Sequence, residues 1–325
     1  MKLPRRQFLH LAAGAAALPA GSRIARAQAY PTRPVRLLVG AAPGGSLDIL
    51  ARLMGQWLSD KLGRRFIIEN RTGAGVNVAT EAVVRAAPDG YTLLMVSTPN
   101  ATNATLYEKL NFVFLRDISP VASMVSVPLV MMVHPSFPAH SVSEFIAYAK
   151  AHPGKINFGS SGNGSTLHVT AEMFKMMAGV NMAHVAYRGS APMLTDLLGG
   201  QIQVAFADMP PSVEHIRTGN LRALAVTTKE RSSSLPGIPT IGDFLPSFEA
   251  SAWQGIGAPK NTSAVIIEKL NKEINAGLAN PVIKARLGDL GLSVLSGSPA
   301  EFGKLIADET EKWGKVIRAA NIKLE

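Results

Sequence analysis

Val35-Arg36-Leu37-Leu38-Val39-Gly40-Ala41-Ala42-Pro43-Gly44-Gly45-Ser46-Leu47-Asp48 reads as strand, glycine turn and helix start. Val35–Val39 is a continuous apolar run of strand length. From about Leu47 to Leu62, the apolar residues Leu50, Leu53, Met54, Trp57 and Leu58 recur at helical spacing, and Gly63 stops the helix. Phe66–Ile68 then reads as a second strand and Val78–Ala87 as a second helix. Pro88-Asp89-Gly90 turns into a third strand, Tyr91–Ser97. This alternation implies a parallel sheet with helices on both faces, in which ligands sit at the carboxyl ends of the strands.

From Pro120 the pattern changes. Val121–Val125 and Leu129–Val133 are two strand-like pieces joined across Pro128. A fresh α/β block follows. Its helices are expected at Val142–Ala151, Leu167–Ala178 and Ala191–Leu198, and its strands near Ile156–Phe158, His184–Ala186, Ile202–Phe206 and Leu221–Thr227. Two helices, about Ala264–Leu278 and Ala300–Ala319, close the chain. We therefore expect two α/β lobes around a cleft: residues 28–124 with 226–325, and residues 125–225. Two strand crossings near Val125 and Ala225 would form the hinge.

The N-terminus carries an address. Arg5 and Arg6 lead into a short apolar stretch from Leu11 to Ala20, and Ala25-Arg26-Ala27 offers an A-x-A cleavage site. A positive head, a short apolar run and small residues at the cut describe a cleavable export signal over residues 1–27. The run is too short to anchor the chain in a bilayer, and the paired arginines fit the twin-arginine route. The expected product is periplasmic and, after cleavage, has roughly 300 residues, enough for two well-buried lobes. The absence of cysteine excludes disulfides and thiolate metal sites. Of the net charge of +10, five positive charges (Lys2, Arg5, Arg6, Arg23 and Arg26) lie in the signal opposite no acid. The remaining modest excess suits an anionic small ligand. Scattered basic residues and 6% aromatic content give no nucleic-acid footprint.

Two loops attract attention. Ala42–Asp48 joins a strand to a helix, and its glycines let backbone N–H groups approach a ligand at a helix start, where anions are favoured. Gly159-Ser160-Ser161-Gly162-Asn163-Gly164-Ser165-Thr166 repeats the device in the second block. Facing each other across a cleft, the two loops would hold a carboxylate with N–H and hydroxyl groups and without an arginine clamp. Asp48 also suits the helix dipole. Neither a Walker A pattern nor G-x-G-x-x-G is present, so no nucleotide cofactor is indicated. Ser165, His168 and Asp208 supply the residue types of a hydrolase triad. However, Ser165 is a natural helix N-cap, and no G-x-S-x-G elbow occurs. No H-E-x-x-H or H-x-H pair occurs either, so no catalytic metal is expected.

Read together, these segments resemble the Bug-type solute-binding receptors of tripartite tricarboxylate transporters. The resemblance runs from Tyr30-Pro31-Thr32-Arg33-Pro34-Val35 and the Ala42–Asp48 loop through Glu69-Asn70-Arg71-Thr72-Gly73-Ala74-Gly75 and Ala87-Pro88-Asp89-Gly90-Tyr91. It continues with the Gly159–Ser165 loop, His184-Val185-Ala186-Tyr187-Arg188-Gly189, Asp196-Leu197-Leu198-Gly199-Gly200 and Trp253-Gln254-Gly255. It implies a type II periplasmic-binding-protein fold, without a cofactor, that closes on a small organic carboxylate. A monomeric receptor of this kind delivers its ligand to membrane permease subunits. By position, the resemblance assigns ligand contacts to Gly44, Gly45, Ser46 and Asp48, and to Ser160, Gly164, Ser165 and His168. Thr98, Asn100 and Asp208, at strand ends, complete the expected lining. Gly40-Ala41 replaces the usual Pro-Phe before the first loop, which implies a wider wall. A periplasmic ligand sensor shares the same fold and pocket, and the hydrolase is the remaining alternative.

Overall fold

The computed structural model describes residues 30–232 and 234–323. The expected export signal and its cleavage site lie outside the described residues. β1 (Val35–Val39) is the middle of three parallel strands, between β2 (Phe66–Asn70) and β3 (Thr92–Ser97). Four of its five residues are apolar and buried, as suits a strand covered on both faces, while the half-buried Arg36 pairs with Glu69. α1 (Ser46–Leu62) covers this sheet with Leu47, Leu50, Ala51, Met54 and Leu58, all buried. Gly63 ends the helix at φ 69°, a left-handed conformation that costs a residue without Cβ nothing.

β4 (Ile118–Val133) is one strand of 16 residues, not the two pieces expected on either side of Pro128. Up to Pro128 it pairs with β9 (Ser251–Pro259), and from Leu129 onward with β7 (Val204–Asp208). β8 (Arg222–Val226) flanks the second half on its other side. Proline, having no N–H, is tolerated where the ladder changes hands. The first sheet therefore runs β2-β1-β3-β9-β4, with β10 (Ser293–Val294) beyond β4. The second runs β8-β4-β7-β5-β6, where β5 (Asn157–Ser160) and β6 (Ala183–Ala186) are parallel neighbours. Two curved α/β lobes share one strand.

The return crossing differs from expectation. β8 stays in the second sheet, and Ile241, Phe248 and Ala250 join that lobe's core. The chain re-enters the first sheet only at Ser251, so the crossings lie at Pro128–Leu129 and Ala250–Ser251, not near Val125 and Ala225. Thr227 ties the two together: its hydroxyl accepts from the Leu129 N–H at 3.2 Å and donates to the Ala250 carbonyl at 2.6 Å.

The remaining helices are α2 (Asn77–Val84), α3 (Thr98–Leu106), α4 (Phe114–Asp117), α5 (Val142–Ala151), α6 (Thr166–Ala178) and α7 (Ser190–Leu198). They are followed by α8 (Met209–Arg217), α9 (Ala264–Ala279), α10 (Pro281–Asp289) and α11 (Pro299–Ala319). α11 starts in a capping box between Ser298 and Glu301 and crosses both lobes. Its Phe302 packs in the first lobe, while Trp313, Val316 and Ile317 sit in the second lobe's core.

Candidate functional site

Four helices begin at one cavity of about 280 Å³ between the lobes. Ser46 and Leu47 open α1, Thr98 and Pro99 open α3, and Ser165 and Thr166 open α6; Asp208, the residue before α8, completes the wall. The two loops singled out in the sequence thus meet at one crevice. A helix start leaves backbone N–H groups without intrahelical partners and carries about half a positive charge. Among the described residues, no lysine or arginine lines this cavity.

The hydroxyls are primed as donors. Ser46 Oγ accepts from Gln254 Nε2 at 3.1 Å, Thr98 Oγ1 accepts from the Trp253 N–H at 3.0 Å, and Ser165 Oγ accepts from the His168 N–H at 3.3 Å. Each hydroxyl has its acceptor capacity engaged, and none of the three donates to another described residue. Gly45 caps α1 without a side-chain bond, which leaves the first N–H groups of that helix open to the cavity.

Four of the residues expected to touch the ligand hydrogen-bond within the loops. The Asp48 carboxylate is buried and accepts from the Gly44 N–H, from Asn70 Nδ2 and from two nitrogens of Arg52, each at 2.9 Å. The Arg52 hydrogen bonds lead in holding its pKa down to about 2. Asn100 closes the capping box of α3 through the Ser97 N–H and donates to Thr80 Oγ1 at 2.8 Å. Ser160, fully buried, engages His184 Nε2 at 2.6 Å and braces the turn at Gly162. His168 Nδ1 accepts from the Gly164 N–H at 3.0 Å, and its ring stacks on His184 with centroids 3.7 Å apart. Burial, followed by the neighbouring His168, lowers His184 to about 4. All four engage polar atoms inside the loops, and none of them lines the cavity.

Gly44 and Gly45 line an adjoining space of about 690 Å³, and Gly164 lines another of about 250 Å³. Gly164 has φ 71°, and a Cβ there would overlap Leu106 of the first lobe, so the second loop approaches α3 only as glycine. Asp208 stands in the wall, and burial raises its carboxyl to about 6. The triad reading is not assembled. Ser165 bonds the backbone of His168 and not its ring, and Asp208 hydrogen-bonds neither.

The sequence reading missed Gln254, Trp253, Ser161 and Val76 in the wall. Gln254 is 5% exposed and its Oε1 has no partner among the described residues. Val76 holds φ 75°, a costly conformation for a β-branched side chain, and packs over Gly40. Ala41, also in the wall, presents only a methyl group. The signals available were Pro99 and Pro210 in the first turns of α3 and α8, which mark helix starts.

The sequence model described as "Tripartite tricarboxylate transporter family receptor" matches residues 50–322. The chain belongs to this receptor family. Protein BugT of Bordetella pertussis is 37% identical to the receptor over 302 residues, which is 92% of this chain and 93% of BugT. Among solved structures, R. palustris Rpa4515 with adipate superposes with a TM-score of 0.81 at 35% identity, covering 90% of this chain and 99% of that one. MatC from Rhodopseudomonas palustris with bound malate superposes at 0.77 with 30% identity, covering 89% and 100%. The receptor shares their two-lobed periplasmic-binding-protein fold, and these relatives are solute-binding proteins.

Proposed function

We propose that this receptor captures a small organic carboxylate in the periplasm by closing its two lobes, and releases it unchanged to membrane permease subunits of a tripartite tricarboxylate transporter. The observation that carries this reading is the convergence of four helix N-termini, with the hydroxyls of Ser46, Thr98 and Ser165, on one cavity without a basic side chain. Dipoles and neutral donors hold an anion firmly enough to select it and weakly enough to let it go. The adipate and malate in the two related structures support a carboxylate as the solute. In this reading Ser46, Thr98 and Ser165 contact the carboxylate, while Gly44, Gly45 and Gly164 keep the backbone close. Asp48, Asn100, Ser160 and His168 fix the loops, and Asp208 stands at the far side of the anion. Residues 1–27 are the export signal, the hinge lies at the two crossings, and the mature receptor is a monomer.

Titration calorimetry on residues 28–325 with a panel of carboxylates tests this. Saturable binding of at least one carboxylate, without turnover, is the expected result. Ser46→Ala with Ser165→Ala should weaken it about a hundredfold, at roughly 1.5 kcal/mol for each hydroxyl bond to a charge. Unchanged affinity in that double variant would place the pocket elsewhere, and consumption of an ester or amide would favour a hydrolase.

A further inference from the structure

Beside the four-helix cavity lies a larger annex of about 690 Å³ that shares the wall residues Ser46 and Asp208 with it. Its walls are mostly apolar: Ile49, Leu194, Leu198, Pro210, Leu290 and Leu292 face it from both lobes. As in the cavity, no lysine or arginine lines it. Ile49, 36% exposed on a helix whose other large apolar residues are buried or half-buried, lines this space. Together the two spaces have the size of a small-molecule site. At the cavity end the buried Gln254 Oε1, an acceptor without a partner among the described residues, calls for a donor such as a water and not for the carboxylate itself.

We infer that the solute is an amphipathic monocarboxylate, its carboxylate at the helix starts and its apolar chain laid in the annex. This rests on the carboxylate reading above and narrows it. A second carboxylate in the annex would lose water against Ile49, Leu194 and Leu292, and among the described lining residues no lysine or arginine compensates it. An alkyl chain in the same place removes apolar wall and apolar ligand from water together. The polar features that argue the other way are Ser190 at the start of α7, Thr195 and the imidazole of His215, all in the annex wall.

Titration calorimetry with butanoate, hexanoate, octanoate and adipate decides the matter, with malate and citrate as controls. Affinity should rise about fourfold with each methylene along the monocarboxylate series. Hexanoate should exceed adipate, its equal in chain length, by at least about tenfold. Ile49→Arg, a substitution at an exposed position, should shift the preference toward adipate. A flat series, adipate equal to or tighter than hexanoate, or an unchanged preference in Ile49→Arg would overturn the inference. If malate or citrate binds and the monocarboxylates do not, the receptor reading stands and this one falls. If no carboxylate binds, both fall.

Discussion

Asp48 illustrates how a residue governs a site without reaching it. Its carboxylate gathers Gly44, Asn70 and Arg52 around the first loop, and the arrangement holds its pKa down to about 2. A depressed carboxylate stabilises the fold above its ordinary pKa near 4, and that contribution is lost as pH falls through 2. Asp48→Asn should therefore cost about 2 kcal/mol at pH 7, with the gap from wild type narrowing below pH 4. Denaturant melts at several pH values check this; a constant gap would contradict it. Asp208 runs in the opposite direction. Burial lifts its carboxyl to about 6, so its stabilising protonated form is present below about 4 and is lost as pH rises through 6. Wild type should gain on Asp208→Asn as pH falls from 7 to 4. Carboxylate binding should tighten over the same interval in wild type and stay flat in the variant, as titration at pH 7 and 5 will show. In sequence, Asp48 and Asp208 look alike as acids beside helix starts, and only the partners around each carboxyl distinguish them.

Helices and strands with strong periodicity were legible from the chain alone. Val35–Val39 and Val142–Ala151 appear where the apolar pattern put them, because run length and helical spacing are local signals. β9 was not legible. Gly255 and Gly257 deprive it of strand character, yet a Cβ at Gly255 would overlap Phe302 of α11 and the Ala122 carbonyl. Glycine is required there by elements far away in sequence. The loops were legible as donor-rich turns, but which polar atoms face outward was not. Ser160 and His168 turn inward because His184 arrives from β6 to meet them. At Gly164, Ala should cost about 1–2 kcal/mol through the left-handed backbone, with a further loss from the overlap with Leu106. Leu106→Ala in the same chain should recover only the second part. Thermal melts of the two single variants and the double variant will separate the terms.

For the whole molecule, two lobes followed from two separate α/β starts, and they are present. The site of the second crossing did not follow, because the turn-rich residues 227–250 hold no strand-like run to show which lobe they join. Thr227 and its bonds to Leu129 and Ala250 decide the matter. If the lobes close about these crossings, ligand should reduce the radius of gyration in small-angle scattering. At a hundredfold excess over Kd it should also stabilise the fold by about 2.7 kcal/mol. Stabilisation without contraction would mean that the cleft is closed before the ligand arrives.

β4 has one more implication. Since its 16 residues are split between two sheets, neither half of the receptor owns a complete set of strands. A gene fragment encoding either half alone would expose an unpaired edge and should yield aggregate, whereas the intact polypeptide should melt in a single cooperative step despite its bilobed outline.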